Sequence, residues 1–249
     1  FPGAVVLVAK DGVIAYQRAF GTYDYSPYSR QIDLGTMFDL SSVTKVIATT
    51  SAVMKLFDEK RLALDDPVVK YISTFGQNGK EKITIRNLLL HNSGLPGWKK
   101  FYETCASAEQ LLDSVYASPL IYATGDSTIY SDLGLITLGK VIEKVTGTSL
   151  DLYVNKEFFA PLRMENTMFN PPESRWSRIA PTEIDTVWRK QRTPVRGRVH
   201  DENASVLGGV SGHAGLFSTA SDLAVIMQML MNGGTYVGAR YLNEETVRM

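Results

Sequence analysis

Ser42-Val43-Thr44-Lys45 sets a hydroxyl and an amine three residues apart. On a helix the two side chains share one face, one turn from each other. A serine hydroxyl is a weak nucleophile until a base within hydrogen-bond reach takes its proton. A lysine that burial keeps neutral serves as such a base. A helix start adds positive potential and free backbone N–H groups at the same place. The competing reading is a capping serine and a solvated lysine. The apolar neighbours and the hydroxyl of Thr44 weigh against it, since they suit a buried first turn.

Two further stretches carry reactive groups. Tyr130-Ser131-Asp132 follows a turn at Gly125-Asp126 and precedes a helical pattern. A tyrosine there presents its hydroxyl to a cleft as a proton relay. The plainer alternative is a packing tyrosine with Asp132 as an ordinary helix cap. Val199-His200-Asp201-Glu202-Asn203-Ala204 and the glycine-rich run from Gly208 through His213 to Thr219 hold two of the three histidines. Three readings stay open for them. One is a metal site of His200, Asp201, Glu202 and His213, although adjacent Asp201 and Glu202 point apart on a regular backbone. Another is a pair of cleft-lining loops, with glycines permitting close backbone approach. The third is a hydrogen-bonded structural turn. Gly209-Val210-Ser211-Gly212-His213 lacks the spacing of a Gly-x-Ser-x-Gly nucleophile elbow. His91 closes a helix before Gly94-Leu95-Pro96 and reads as structural.

The elements around these residues follow from periodicity. Ala4 to Phe20 alternates as a hairpin about Lys10-Asp11-Gly12. Ser42 to Phe57 predicts a helix with Val43, Val46, Ile47, Val53, Met54 and Phe57 on its inward face, capped by Asp39 or Ser41. Asp65-Asp66-Pro67 starts a short helix. Helices are expected over 83–91, 106–117, 132–145 and 149–159. Residues 171–209 are irregular and rich in Arg, Pro and Asn, which in a stretch so long often marks function. Thr219 to Met231 is a helix with a capping-box-like start at Thr219 and Asp222, ended by Gly233-Gly234. Tyr236 to Leu242 is expected as a last strand. Strands near both ends and helices between predict an α/β layer with a helical insertion. The boundaries are 1–60 with 205–249 for the sheet part and 61–204 for the insertion.

Composition bounds the function. The 249 residues carry 26 Lys plus Arg against 26 Asp plus Glu, so no excess positive charge exists for nucleic-acid binding. Hydrophobic residues at 44% and charged residues at 21% exclude a mainly disordered chain. One cysteine, Cys105, excludes an internal disulfide framework and a multi-cysteine zinc site. No apolar run approaches the ~20 residues that span a bilayer. The chain starts at Phe1 and stops within Asn243–Met249, which reads as the opening of a helix, so further C-terminal sequence is expected.

Phe38 to Lys45, Leu88 to Pro96, Tyr130 to Gly134 and Gly208 to Leu223 together resemble the serine beta-lactamase-like hydrolases. That family takes in class C beta-lactamases, low-molecular-weight penicillin-binding carboxypeptidases, D-aminopeptidases and related esterases. The 199–204 and 211–215 wording is most similar to a branch near penicillin-binding carboxypeptidases, some fused to glycosidase domains. The resemblance implies a beta-lactamase/transpeptidase-like α/β fold: an antiparallel sheet layer flanked by helices, plus a mainly helical insertion. It implies Ser42 as the acylated nucleophile, Lys45 as its base and Tyr130 as the proton shuttle. Asp132 takes a substrate-contacting position where the family usually has Asn. An Asp there pairs with Lys45, favours its charged form and repels a nearby carboxylate. His213 is placed at the cleft, also as a substrate contact. His213-Ala214-Gly215 does not stand for the family's third motif, which is expected beyond Met249, with a second oxyanion donor. The family's usual N-terminal helix is absent as well.

The implied reaction is hydrolysis, through an acyl-enzyme, of a D-amino-acid peptide, a beta-lactam or a small ester. The alternative is a penicillin- or peptidoglycan-binding sensor that does not turn over. No metal or organic cofactor is implied, and the partner is a small-molecule or peptidoglycan-like substrate. A periplasmic or secreted location and fusion to another domain follow from the resemblance alone.

Overall fold

A computed structural model describes residues 1–249. Its strands are β1 (Gly3–Lys10), β2 (Val13–Gly21), β3 (Phe38–Asp39), β4 (Met168–Phe169), β5 (Leu216–Ser218), β6 (Thr235–Tyr236) and β7 (Ala239–Arg240). Its α-helices are α1 (Ser51–Asp58), α2 (Ile85–Leu89), α3 (Ala108–Ala117), α4 (Asp132–Thr146), α5 (Leu150–Val154), α6 (Glu173–Trp176), α7 (Glu202–Val206), α8 (Ala220–Met231) and α9 (Glu244–Arg248).

The expected hairpin is present. Lys10 faces Val13, and the intervening Asp11 and Gly12 have φ of 53° and 78°. Positive φ at both positions is the type I′ turn, whose twist matches that of the strands. Gln17 of β2 donates to Ser221 Oγ at 2.8 Å and fastens the hairpin to the start of α8.

A second antiparallel sheet, in the order β3-β5-β4, joins three distant parts of the chain. It is small, but it sets the two segments that matter side by side. β3 leads into Ser42, and the 209–215 loop leads into β5. Thr219 caps α8 by accepting from Asp222 N. The Asp222 carboxylate turns instead to Asn166 N and Thr167 Oγ1, at 2.8 and 2.9 Å.

The helix after β3 departs from its expected form. It runs as a 3₁₀ turn over Ser41–Val43, a π-helical stretch over Lys45–Thr50 and then α1. Thr50 and Ser51 hydroxyls donate five residues back, to Lys45 O and Val46 O. Thr49 Oγ1 donates to Gly212 O at 2.7 Å, and Thr44 Oγ1 accepts from Leu216 N at 3.1 Å. These long-range bonds fix which side faces inward. Thr44, Lys45, Ile47, Ala48 and Thr49 are buried, whereas Val43 and Val46, expected on the inward face, are 45% and 56% exposed. A π-bulge of this kind re-aims side chains and recurs at functional sites.

One hydrophobic core holds the helices together. Leu56, Leu88, Leu111, Ile136, Val154 and Phe158 belong to it, and it continues to Met229 of α8 and to Leu242. Burying each such side chain stabilises the fold by about 1.5–3 kcal/mol before entropy is counted. α4 runs through the middle. Ser131 Oγ accepts from Gly134 N at its start, and Gly147, with φ of 70°, ends it. Residues 171–209 hold only α6 and α7, as their irregular composition suggested.

The expected strand over 236–242 is not formed. β6 and β7 make a two-residue hairpin about Val237-Gly238, with φ of 47° and 76°. Gly238 supplies the positive φ that breaks a continuous strand. No helix is long and apolar enough to cross a membrane.

Candidate active site

Ser42 and Lys45 meet as their spacing implied. Lys45 Nζ donates to Ser42 Oγ at 2.9 Å and to the carbonyl oxygen of His213 at 3.0 Å. It also lies 2.7 Å from Asp132 Oδ1 and 4.8 Å from the centre of the Tyr130 ring. Lys45 is only 4% exposed, so its amine is surrounded by these four groups rather than by water. The contact with Asp132 is an ion pair without hydrogen-bond alignment, since Oδ1 is buried and finds no aligned donor. The site therefore brings together Ser42, Lys45, Tyr130 and Asp132. They come from the turn after β3 and from the start of α4.

The turn holding Ser42 is strained. Ser41 has φ of 47°, a left-handed conformation that costs a non-glycine residue about 1–2 kcal/mol. Asp39 holds it there. Its Oδ1 accepts from Ser41 N at 2.8 Å and its Oδ2 from His200 N at 2.6 Å. Burial pushes the Asp39 carboxyl above its ordinary value, against the pull of the two amide donors.

Tyr130 lies in a loop and is 53% exposed. It presents the face of its ring to Lys45 rather than its hydroxyl. His91 backs it, with ring centres 4.7 Å apart. His91 Nδ1 accepts from Ser131 N at 3.0 Å. Burial, and then the charge of Lys45, pull the His91 imidazole below its ordinary value. The structural reading of His91 thus agrees with its contacts. Its neighbour across the ring is a site residue, which no local pattern signals.

His213 is placed differently from its expected role. Its side chain is 1% exposed and both ring nitrogens are taken. Nδ1 lies 2.8 Å from Ser211 Oγ, and Nε2 donates to Asp201 Oδ1 at 2.9 Å. The ring is a buried support, and only the backbone carbonyl reaches the site, through Lys45. The metal quartet is likewise not assembled. His200 pairs with Glu183 at 3.0 Å on the surface, away from His213. Asp132, Asp201 and His213 do approach one another within 4.8 Å. The Lys45 ammonium, though, already sits against Asp132, and the His213 Nε2–H against Asp201. That donor set fits a lysine better than an ion.

Asp201 was the residue least legible in its role. It caps α7 by accepting from Ala204 N at 2.7 Å and anchors His213 with the same oxygen. Burial pushes its carboxyl up, but the His213 and Ala204 N–H donors and the nearby Lys45 hold it below the ordinary value. A depressed carboxyl contributes stability that is whole above about pH 4 and lost as pH falls through the folded-state value. Melting curves from neutral to strongly acid pH should therefore show an acid-side fall in Tm. Asp201→Asn should flatten that fall while lowering Tm at neutral pH.

The family described as Beta-lactamase matches residues 1–249. The protein named "Putative D-alanyl-D-alanine carboxypeptidase" of Escherichia coli O157:H7 is 38% identical over 279 residues, covering 100% of this chain and 64% of that protein. "N-acetylmuramyl-L-alanine amidase" of Bacillus subtilis strain 168 is 35% identical over 276 residues, covering 99% of this chain and 63% of that one. The chain thus spans less than two thirds of the length of these curated relatives. Among solved structures, the octameric penicillin-binding protein homologue from Pyrococcus abyssi superposes with a TM-score of 0.78 at 24% identity, over 99% of this chain and 55% of that one. A class C beta lactamase from Rhodobacter sphaeroides gives 0.78 at 20% identity, over 99% and 65%. These two share the fold, a mixed α/β arrangement of helices with small antiparallel sheets, as the sequence implied. By its sequence, over its whole length, the chain belongs to the beta-lactamase family.

Proposed function

We propose that this chain is a serine hydrolase that works through an acyl-enzyme on Ser42. Its substrate class is a peptide ending in D-amino acids, a beta-lactam or a small ester. The observation that carries the reading is the buried Lys45 amine, 2.9 Å from the Ser42 hydroxyl and held from two other sides.

The steps follow from that placement. For the reaction the Lys45 ammonium first gives up a proton; the free amine keeps its N–H bond to His213 O and turns its lone pair to Ser42 Oγ, 2.9 Å away. It takes the Ser42 proton as Oγ bonds to the substrate carbonyl carbon and the carbonyl electrons move to oxygen. The Ser42 N–H, in the first turn after β3, is one donor for that oxyanion. When the tetrahedral adduct collapses, the bond to the leaving group breaks. The proton on Lys45 passes to the leaving group, and the Tyr130 hydroxyl, which has no protein partner, relays it once the bound substrate bridges the two. Water then attacks the ester by the same steps in reverse, and Ser42 regains its proton.

Treatment with a fluorophosphonate, followed by intact mass and peptide mapping, tests this. The expected result is a single adduct on the peptide holding Ser42, absent in Ser42→Ala. An unmodified Ser42 would overturn the reading. A lasting adduct with a beta-lactam, formed without turnover of any ester, would mark a sensor instead.

A further inference from the structure

Asp132 has two oxygens in unlike surroundings. Oδ1 is buried against Lys45 Nζ at 2.7 Å. Oδ2 accepts no hydrogen bond from the protein and is not shut off as Oδ1 is, and the side chain as a whole keeps 14% exposure. The backbone cannot turn it away, because Asp132 N is tied to Gly97 O at 2.8 Å and Ser131 caps α4 beside it. A charged acceptor therefore stays open to the cleft, one ammonium away from Ser42. An ionised carboxylate only accepts. It rewards a donor on the substrate, most of all a cationic one, and leaves an acceptor unpaired. Asp201, behind His213, adds a second negative charge near the same lysine.

We infer that Asp132 is the specificity residue of this site, selecting acyl groups that carry a hydrogen-bond donor, best an ammonium, beside the scissile carbonyl, and rejecting those that carry a carboxylate there. The inference rests on acylation of Ser42 and adds what the acyl group must look like. An α-amino acyl group with a free amine is the favoured class. An amide N–H ranks next, a plain alkyl acyl group below it and a succinyl-type group last.

Three aryl esters with the same leaving group test the order: D-alanyl, propionyl and succinyl. Assays run at a pH where the D-alanyl amine is protonated. Each kcat/KM is divided by the ester's own hydroxide-catalysed rate, since an α-ammonium activates an ester unaided. The D-alanyl ester should exceed the propionyl ester by about 10- to 100-fold, the range of a charge-assisted hydrogen bond. The succinyl ester should fall below both. Asp132→Asn changes absolute rates as well, through Lys45, so the ratios are read. They should collapse towards one, with the succinyl ester gaining most. Equal normalised rates in the unmodified protein, or ratios unchanged in Asp132→Asn, would overturn the inference. Ser42→Ala separates this from the mechanism. If it leaves ester turnover intact the acylation reading fails. If it abolishes turnover while the ratios are flat, only the specificity assignment fails.

Discussion

Lys45→Met should lower ester kcat/KM by about 1,000-fold or more, because on the proposed mechanism the variant loses the base and proton carrier together. Methionine keeps the length and apolar character of the stem, so the helix still packs. What vanishes is the group joining Ser42 Oγ, His213 O and Asp132 Oδ1. A buried carboxylate left alone is costly, and removing one partner of a buried pair destabilises a fold by about 3–5 kcal/mol. Fold and chemistry therefore both suffer, and a second change separates them. Adding Asp132→Asn removes the stranded charge. The double variant should regain much of its denaturant midpoint and none of its turnover. Recovery of turnover would mean that Lys45 held Asp132 in check and never handled the serine's proton. Lys45→Arg should fail as fully as Lys45→Met, since a guanidinium does not give up its proton.

Gly212→Ala is the second large effect, and it acts from outside the reacting groups. A Cβ at Gly212 would lie 2.0 Å from Leu135 O and 3.0 Å from Gly139 N, both backbone atoms of α4. A clash with backbone is not relieved by a rotamer change, so either the loop or the helix must move. Overpacking of this kind costs about 1–3 kcal/mol, and the upper end is expected here. The direction of movement matters more than the energy. Gly212 O accepts from Thr49, and the next carbonyl, His213 O, accepts from Lys45. Pushing the loop off α4 withdraws both acceptors from the π-helical stretch. A misplacement of about 1 Å costs roughly 100-fold in rate. Gly212→Ala should therefore lower Tm by several degrees and kcat by about 100-fold, with KM little altered. A stability loss with unchanged kcat would show that the loop does not position Lys45.

The sequence was informative where contacts are local. The Ser42/Lys45 pair, the hairpin about Asp11-Gly12, α4 with its Ser131 cap and α8 with its Thr219 cap all rest on residues a few positions apart. The pairing of Lys45 with Asp132 came from the family resemblance alone, which placed the two residues at one site; their spacing in the sequence carries no sign of it. Distant contacts decided the rest. The π-helical stretch turns Val43 and Val46 outward because Thr44 and Thr49 bond to Leu216 and Gly212. Hydrophobic periodicity carries no record of those partners. His213 offered ligand chemistry in its type, yet Asp201 and Ser211 consume both ring nitrogens. Asp39 or Ser41 was expected to cap this helix, and neither side chain does, Leu40 standing at the cap position; Asp39 holds the turn before it instead. It accepts from Ser41, and its second oxygen reaches His200, 161 residues away. The short 236–242 segment failed for a local reason, since one glycine converts a strand into a hairpin.

The span of these tethers bears on when the site comes into being. Ser42 and Lys45 are near neighbours and emerge from a ribosome together, with Tyr130 and Asp132 following. The carbonyl that steadies Lys45 lies 168 residues further on. Closing so long a loop is entropically unfavourable until the intervening core has formed. Synthesis adds about 5–20 residues per second, so for many seconds the nascent chain carries the hydroxyl and the amine without the acceptor that orients them. On the proposed mechanism, a chain not yet made past His213 holds the serine and the amine but lacks the carbonyl that orients them.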